Sequence, residues 1–261
     1  MIDIHSHILP GLDDGPKDLS ESLEMARRAV ADGVSAMVAT PHMMPDGPYA
    51  NRRGAVMERL AELKEALARE NVPLEVLPGG EVYVSLDVAR ELGEGSLLTL
   101  ADLGAHVLIE LPAGEIPPYT EQVLFEVRLR RIVPVIAHPE RIVRSPEDLE
   151  TLAEWVRKGV LLQVNGRSLL GESGTGPAKA ARAIIVRRMA HFVASDAHGT
   201  TKRPPGLSAA RREVERIAGP EEARLLVEEN PGRLIAGEAI PAREPAPARR
   251  GLFDRLFKRL G

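Results

Sequence analysis

Short apolar runs alternate with stretches of helical period along most of the chain. At the N-terminus, apolar and polar positions alternate over residues 2–4, which predicts a buried strand running into two histidines. Further apolar runs bounded by turn residues predict six more strands, at residues 34–40, 74–77, 106–109, 132–137, 160–164 and 191–194. The stretches between them carry apolar residues every three or four positions and predict helices.

An alternation of strands and helices is typical of a parallel sheet with helices packed outside it. Polar candidate residues follow most of the strands, at what would be one end of the sheet. We therefore predict closure into a distorted (β/α)7 barrel rather than an open sheet. A chain of 261 residues with 44% hydrophobic content suits one such α/β domain, which we assign to residues 1–236.

The C-terminal segment differs in composition from this domain. Residues 237–250 are rich in proline and alanine and predict a semi-rigid linker. Over residues 251–261, apolar side chains recur at helical spacing with arginine and lysine between them, which predicts a short basic amphipathic helix. Such a helix either folds back onto the barrel, mediates oligomer contacts or makes a weak peripheral contact with an anionic membrane.

Composition excludes several classes of function. The chain has no cysteine, so disulfides, thiolate metal sites and a cysteine nucleophile are excluded. With a net charge of −4 it has no global attraction to nucleic acid, and we expect no nucleic-acid partner. The N-terminus shows neither a signal peptide nor a long apolar span, so a cytoplasmic location is the default expectation.

Metal-ligating side chains follow most of the predicted strands. Two imidazoles one residue apart, His5 and His7, would face the same side and form half of a site for a divalent transition metal. Other strand ends add carboxylates and imidazoles, and the full set is His5, His7, His42, Glu81, Glu110, His138, Asp196 and His198. Such mixed ligands suit Mn²⁺, Fe or Zn²⁺. The sequence therefore predicts a multi-metal site at the carboxyl ends of the strands.

Other polar residues near these strands are expected to have different roles. His106 precedes its strand and His191 opens one, so both would lie at the opposite end of the barrel as structural residues. Glu140 is expected to be a solvated or salt-bridged neighbour of His138 rather than a ligand. The strand at residues 160–164 ends in Asn165 and offers no obvious ligand.

These residues resemble the motifs of the polymerase and histidinol phosphatase (PHP) superfamily. The resemblance rests on His5-Ser6-His7, Pro41-His42, Glu81, Glu110, His138-Pro139-Glu140-Arg141 and Asp196-Ala197-His198. Residues 3–10, 13–15, 39–42 and 116–119 are further similar to the bacterial protein-tyrosine phosphatases of capsule and exopolysaccharide loci. The similarity covers roughly residues 1 to 240.

The resemblance implies a site and a function. It implies a trinuclear site, often of manganese, in a (β/α)7 barrel, with Asp14 joining the metal ligands. It also implies that Arg141 and Arg203 bind the phosphate in catalysis, and it leaves Asp14 open as ligand or proton donor. The implied substrate is the tyrosine-rich tail of an autophosphorylating, membrane-associated kinase, and the implied role is control of polysaccharide export.

The chemistry of these residue types agrees with phosphoryl transfer. Bridging carboxylates would hold metals roughly 3.5 to 4 Å apart, the spacing used for in-line phosphoryl displacement. Arginine is always charged and donates in a fork, so Arg141 and Arg203 would neutralise developing charge on the phosphate. A phenolate leaving group, with a pKa near about 10, needs less proton assistance than an alkoxide.

Other functions share part of this pattern. A small-molecule phosphatase of the histidinol-phosphatase type would use the same ligands. An amidohydrolase also begins with His-x-His but would place a bridging lysine at a strand end, where Glu110 stands here. An exonuclease would favour a basic track that an acidic chain lacks. A non-catalytic metal-binding regulatory domain would typically have lost a ligand, and here the set is complete. The sequence leaves the oligomeric state open.

Overall fold

The architecture is that of a computed structural model, which describes residues 1–247. The predicted amphipathic segment at residues 251–261 and the last residues of the predicted linker lie outside this part. Among the helices of residues 1–247, none combines the length and the apolar character needed to cross a bilayer.

Strands and helices alternate as the apolar pattern predicts. The strands are β1 (Ile2–Ser6), β2 (Ala36–Ala39), β3 (His42–Met43), β4 (Glu75–Pro78), β5 (Glu81–Tyr83), β6 (His106–Glu110), β7 (Val133–Ala137), β8 (Leu161–Asn165) and β9 (Phe192–Ala194). The helices are α1 (Leu19–Ala31), α2 (Arg53–Arg69), α3 (Val88–Glu94), α4 (Thr120–Leu129), α5 (Pro146–Arg157), α6 (Gly166–Leu170), α7 (Thr175–Val186), α8 (Ser208–Ala218), α9 (Pro220–Arg224) and α10 (Asn230–Ile235). Turns of 3₁₀ helix occupy Leu100–Asp102 and Pro139–Arg141, and a π-helical turn occupies Leu225–Glu229.

The named strands pair in parallel and form two sheets. One has the order β1-β2-β4 and the other the order β3-β5-β6-β7-β8-β9. Only residues 40–41 separate β2 from β3, and only residues 79–80 separate β4 from β5, so the chain carries two strand runs from one sheet into the other. At the far edge, Asp196 N donates to His5 O (2.9 Å) and His7 N donates to Ala197 O (2.8 Å), which links β1 to the segment after β9. The predicted α/β fold of the barrel type is confirmed.

The interruptions in two strands correct the predicted boundaries. His42 and Glu81 were expected just past strands, whereas they open the short strands β3 and β5. Pro41 has no N–H for a ladder, and a Cβ on Gly80 would lie 2.3 Å from Met43 Sδ, so the two segments approach too closely for a side chain there. Proline and glycine therefore end the apolar pattern in the sequence, but the chain resumes strand structure directly after them.

Two apolar clusters hold the sheets and helices together. A small inner cluster lies on the face that the sheets enclose and contains Ile4, Val38, Leu108, Val135 and Phe192, each buried. A larger cluster packs the other face against the helices. Parallel sheets covered on both faces are expected to bury their strands in this way.

A register irregularity in β1 positions its histidines. The pairing of β1 with β2 shifts between Asp3 and Ser6. Ile4 packs in the inner cluster, and the next residue, His5, also reaches the enclosed space, although alternation alone would place consecutive side chains on opposite faces. An irregularity of this kind re-aims a side chain. It therefore delivers an imidazole to the site directly after a core residue.

Helix α5 begins as the sequence predicts. Asp148 N donates to Ser145 Oγ (3.3 Å), and Ser145 N donates to the Asp148 carboxylate (2.8 Å), which completes a capping box. Pro146 occupies the first turn, where its missing N–H costs nothing. The capping box fixes the start of helix α5, shortly after the metal-ligand candidate His138.

The described part of the predicted linker contacts the barrel. No helix or strand is assigned over residues 237–247. Arg243 Nη2 binds the Glu222 carboxylate (2.6 Å), and Ala246 N donates to Arg187 O (2.8 Å). Because both side chains of the Arg243 pair are about nine-tenths buried, this segment is fixed to the domain rather than separated from it.

Folding stability should fall in mild acid because His106 is buried. Burial lowers the pKa of His106 from 6.5 to about 4, and its Nδ1 has no hydrogen-bond partner in residues 1–247. Between these pH values His106 is protonated in the unfolded chain but not in the folded chain. The free energy of unfolding therefore decreases as pH falls. We expect His106→Leu to make the decline shallower by up to about 1.4 kcal/mol per pH unit.

The measurement is denaturant unfolding of metal-free wild-type and variant proteins between pH 4 and 6.5. Metal-free protein is required so that release of a bound ion does not contribute to the slope. Parallel stability curves for the two proteins would show that His106 does not titrate as described.

Candidate metal centre

The structure brings all the predicted metal ligands together at the carboxyl ends of the strands. They come from the ends of strands, from the starts of the short strands β3 and β5 and from the segments that follow strands. Together they are His5, His7, Asp14, His42, Glu81, Glu110, His138, Asp196 and His198. Most of these side chains are buried, and Asp14 is the exposed member, with 46% of its side chain accessible. Seven stretches of chain thus converge on one space.

The carboxylate of Glu81 lies at the centre of this space. Its Oε1 is 2.9 Å from His138 Nε2 and 3.3 Å from His5 Nε2. Its Oε2 is 3.0 Å from His42 Nδ1 and 3.3 Å from His7 Nε2. One buried carboxylate therefore faces four imidazoles, with each oxygen shared between two of them.

Two aspartates complete the surroundings of the imidazoles. Asp14 Oδ1 lies 3.2 Å from His198 Nε2 and 3.5 Å from His42 Nε2. Asp196 Oδ1 lies 3.4 Å from His5 Nε2 and 3.5 Å from His198 Nδ1. The sites on either side of Glu81 are thereby connected through shared ligands.

Three overlapping groups within residues 1–247 have ligand atoms close enough to hold an ion. They are His7, Asp14, His42 and His198; His5, His7 and Glu81; and His42, Glu81 and Glu110. Within each group the candidate atoms lie within 4.8 Å of one another. His138 and Asp196 flank these groups through Glu81 and His5. Mixed imidazole and carboxylate sets of this size match divalent transition metals.

Buried atoms without partners test whether metal ions fit. In the described residues, four ligand atoms are inaccessible to solvent and make no hydrogen bond of proper geometry, although each faces another ligand atom at 3.0 to 3.5 Å. These atoms are His42 Nδ1, Glu81 Oε2, Glu110 Oε2 and His198 Nε2. All four belong to the groups above, and each is an atom that ligates metals. Because a buried polar atom without a partner is costly, a cation shared by these atoms fits the site.

The electrostatic field favours the metal-binding forms of Glu81 and His138, whereas at three other histidines nearby carboxylates outweigh burial, raise the imidazole pKa and favour the protonated form. These histidines are His5, His7 and His42. Burial alone would raise the pKa of Glu81, but His5, His138 and His42 outweigh it and hold that pKa well below its usual range. Burial, together with nearby Arg141, lowers the pKa of His138 to about 4. Glu81 is therefore an anion and His138 a neutral imidazole near pH 7, as metal ligation requires.

Glu110 shows the opposite effect. Burial, followed by the repulsion of Glu81, raises the pKa of Glu110 to about 7. Two carboxylates on adjacent strands cannot both be ionised easily without a nearby cation. A divalent metal between Glu81 and Glu110 would remove this conflict.

Residues beyond the predicted set orient the ligands. His7 Nδ1 is 2.7 Å from Asp13 Oδ2, and His5 Nδ1 is 2.8 Å from Gln163 Oε1. Partners of this kind fix the tautomer of a ligating imidazole, so that its other nitrogen faces the metal. The sequence analysis assigned neither residue. Gln163 could have been suspected because it is a polar residue inside an apolar strand, two residues before a strand end.

Two ligand candidates occupy strained backbone positions. His138 has φ of 31° and Asp196 has φ of 52°, and both directly follow or nearly follow a strand. Left-handed conformations are uncommon in residues other than glycine and cluster at functional sites. These turns aim both side chains at the centre where a regular strand would not.

Both predicted arginines contact the carboxylate of Asp196. Arg203 Nη2 lies 2.6 Å from Asp196 Oδ2, and Arg141 Nη2 donates to the same oxygen. Asn165, which ends the strand without an obvious ligand, also donates to this oxygen through Nδ2 (2.7 Å). The side chains of Arg141 and Arg203 are each 28% exposed, so both guanidinium groups stand at the open side of the centre.

The expectation of a solvated Glu140 is wrong. Glu140 is 1% exposed, and its Oε1 accepts a hydrogen bond from Asn165 N (3.2 Å). Burial raises its pKa to about 7. The turn of 3₁₀ helix at Pro139–Arg141 directs Glu140 into the protein and Arg141 towards Asp196, which residue spacing alone does not reveal.

Comparison with known proteins identifies the family. The sequence model of a family described as "Capsular polysaccharide synthesis, CpsB/CapC" matches residues 1–236. This chain belongs to the CpsB/CapC family. Among CpsB/CapC relatives, it is 38% identical to the tyrosine-protein phosphatase YwqE of Bacillus subtilis over 257 residues, which cover 98% of this chain and all of YwqE. It is 31% identical to the tyrosine-protein phosphatase CpsB of Streptococcus agalactiae, over 92% of this chain and all of CpsB.

Solved structures support the same family. A chain from the crystal structures of YwqE from Bacillus subtilis and CpsB from Streptococcus pneumoniae, described as unique metal-dependent tyrosine phosphatases, matches with a TM-score of 0.89. It is 38% identical, and the match covers 96% of this chain and all of that one. A histidinol phosphate phosphatase from Lactococcus lactis matches with a TM-score of 0.52 and 15% identity, covering 83% of this chain and 92% of that one. This second match shows a shared fold.

The amount of bound metal should distinguish metal ligands from the arginines beside them in this CpsB/CapC protein. His138→Ala removes an imidazole that contacts Glu81, so we expect less metal to remain bound after dialysis. Arg141→Ala removes a cation that contacts Asp196 and should leave the metal content at the wild-type value. The measurement is inductively coupled plasma mass spectrometry of the purified proteins. Equal metal loss in both variants would contradict the assignment of Arg141.

Proposed function

We propose that this protein is a metal-dependent protein-tyrosine phosphatase, a phosphoric monoester hydrolase. The observation that carries the proposal is the placement of two arginines at the open side of a buried cluster of metal ligands. Tyrosine-phosphatase relatives in the same family, matched along nearly the full chain, support it.

We further propose Mn²⁺ as the metal and three ions as the number, with Fe or Zn²⁺ as alternatives. The three overlapping groups of ligand atoms support the number, and the mixture of oxygen and imidazole nitrogen ligands supports the metal. When bound, such ions supply Lewis acidity towards phosphoryl oxygens and a nucleophile at neutral pH. The residues described here hold the ions, orient the phosphate and balance the charge.

The arginines bind the phosphate in this proposal. Arg141 and Arg203 converge on a single oxygen of Asp196, so their remaining donors are held near one another. A guanidinium group donates several hydrogen bonds in a planar fork and matches the oxygens of a phosphate. Held in this way before substrate arrives, the two cations stabilise charge that develops on the phosphoryl oxygens.

Asp14 acts as a metal ligand rather than as a proton donor. Burial opposes ionisation of Asp14, but His198, His7 and His42 outweigh it and lower the pKa of Asp14 to about 2. An ionised carboxylate has no proton to give near pH 7. A phenolate leaving group, with a pKa near about 10, depends less on such a donor than an alkoxide does.

Of three rival functions, one would share the residues of the centre and two would require different residues there. A histidinol-phosphate phosphatase shares the metal ligands and the fold, and the match to the Lactococcus lactis enzyme is a likeness of fold. An amidohydrolase would have a lysine at a strand end, whereas Glu110 ends β6 in this position. A non-catalytic regulatory domain would lack part of the ligand set, and each predicted ligand reaches the centre.

The physiological partner in this proposal is a phosphotyrosine-bearing protein, specifically the tail of a membrane-associated tyrosine kinase. The family description of capsular polysaccharide synthesis supports a role in capsule or exopolysaccharide production. We place the enzyme in the cytoplasm, where such a tail would be phosphorylated. The proposal leaves the oligomeric state open.

Activity should depend on metal and not on a thiol. Exhaustive chelation should abolish hydrolysis of a phosphotyrosine peptide, and added Mn²⁺ should restore it, whereas iodoacetamide should have no effect because the chain has no cysteine. The same assay with histidinol phosphate decides between the two phosphatase types. Full activity after chelation would refute the metal-dependent mechanism, and faster turnover of histidinol phosphate would refute the protein substrate.

Peripheral membrane contact stays a prediction, since residues 251–261 lie outside the described residues. We expect the full-length protein to sediment with anionic vesicles at low salt and a chain ending at Glu238 to remain in solution, with each basic residue contributing about 1 kcal/mol near the surface. Vesicles of neutral lipid are the control. Equal sedimentation of the two proteins would eliminate the membrane role.

A further inference from the structure

Two of the three tyrosines in the chain border the metal centre. Tyr83 ends β5, two residues after Glu81, so its side chain lies on the same strand face as the central carboxylate. It pairs in register with Glu110 on β6. Tyr49 approaches from another side, through the ring of His42. Aromatic residues make up 3% of the chain, so tyrosines at one site require a physical reason.

The loop that carries Tyr49 is tied to the metal centre. Met43 pairs with Ala50 in an antiparallel bridge, and Met44 N donates to Tyr49 O (2.9 Å). Asn51 Nδ2 donates both to His42 O (2.9 Å) and to Leu12 O (2.8 Å). These bonds hold the loop against the strand that supplies a ligand, so the position of Tyr49 is fixed relative to the metals.

The ring of Tyr49 lies almost parallel to the imidazole of His42. The ring centroids are 5.4 Å apart, and the planes differ by 10°. Within residues 1–247, His42 is the one aromatic ring in contact with Tyr49, and the tyrosine side chain is half-buried. The rest of its ring surface is therefore accessible beside His42, at what we call the mouth of the centre.

A cavity lies beside the loop that carries Tyr49. This cavity of about 470 Å³ lies between the loop and the end of β5 and is lined by Met44, Pro45, Pro48, Tyr83 and Val84 among others. These side chains are mostly apolar. Tyr83 lines this cavity and lies on the strand that carries Glu81, so the cavity is next to the strand that supplies the central carboxylate.

We propose that Tyr49 positions the phenyl ring of the substrate by stacking, and so makes the centre favour aryl over other phosphate esters. This role rests on the proposed phosphatase function and specifies its substrate class. In this role, a phosphotyrosine whose phosphate is held by the ligand cluster and the arginines would place its ring beside His42, where Tyr49 offers an aromatic surface already held in place. Aromatic pairs prefer offset or tilted contact over a face-to-face sandwich, and both are open to a ring entering beside Tyr49.

The alternative role for Tyr49 is to support His42 alone. In that case Tyr49 would affect metal binding and phosphate binding equally, whether or not the ligand has a ring. Inorganic phosphate separates the two roles, because it occupies the phosphate position and has no ring to stack. The inhibition constant of inorganic phosphate and the KM for an aryl ester therefore report different contacts.

The experiment compares Tyr49→Ala, Tyr49→Phe and wild-type holoenzyme. For phenyl phosphate and phosphotyrosine we expect Tyr49→Ala to lower kcat/KM by about three- to tenfold, mainly through KM, which is the range of a single aromatic pair. The inhibition constant of inorganic phosphate and the metal content should stay at wild-type values. Tyr49→Phe keeps the ring and should behave as wild type.

Phe125→Ala is the matched control, because Phe125 is an aromatic residue that is 59% exposed on α4 and lies outside the metal centre. It should leave every parameter unchanged. Weaker phosphate inhibition or lost metal in Tyr49→Ala would overturn the proposal, as would unchanged aryl kinetics or an equal defect in Tyr49→Phe. A wild-type holoenzyme that hydrolysed no phosphate ester would contradict the phosphatase function itself together with this role.

Discussion

The carboxylate of Glu81, buried among four imidazoles, is the constraint on which the rest of the structure depends. An anion at 1% exposure needs compensating charge, and His5, His7, His42 and His138 surround it at 2.9 to 3.3 Å. Those histidines come from three different strand runs, so the runs must end at the same level for the contacts to form. The interruptions before His42 and Glu81 and the shifted register of β1 meet this requirement. These departures from regular strand geometry therefore place the histidines around the Glu81 carboxylate.

The open side of the centre follows from the same charges. Asp196 is held ionised by His5, Arg141, His138 and Arg203, against the effect of its own burial, and its pKa lies far below the usual range. It therefore keeps two guanidinium groups at the rim, where Asp14 Oδ2 also lies 3.7 Å from Arg203 Nη1. An anionic substrate meets cations that are already oriented, so little reorganisation accompanies its binding. Asp196 serves the metals on one side and the phosphate-binding groups on the other.

Much of this arrangement was predictable from residue pattern. In parallel barrels the carboxyl ends of strands meet, so apolar runs followed by histidines and carboxylates predict the fold and eight of the ligands. These eight converge, together with Asp14, which only the family resemblance implied. Gln163 and Asp13 were missed because their contribution is a hydrogen bond to a distant ring, which leaves no periodic signal. The burial of Glu140 was missed because a single turn of 3₁₀ helix decides its direction. Contacts that depend on how distant segments pack in three dimensions cannot be predicted from the order of apolar and polar residues along the chain.

The neighbouring positions of β1 and the segment after β9 carry a consequence for synthesis of the chain. The ligand set begins at His5 and ends at His198, and these two ends meet through backbone hydrogen bonds between the two segments and through the stacked rings of His7 and His198. During translation, the first pair of histidines can meet Glu81 early, but the centre lacks part of its ligand set until Asp196 and His198 have left the ribosome. No shorter nascent chain contains the complete centre. Completion of the metal centre is thereby delayed to a late stage of folding, and a translation product interrupted before Asp196 would carry part of the ligand set but no complete centre.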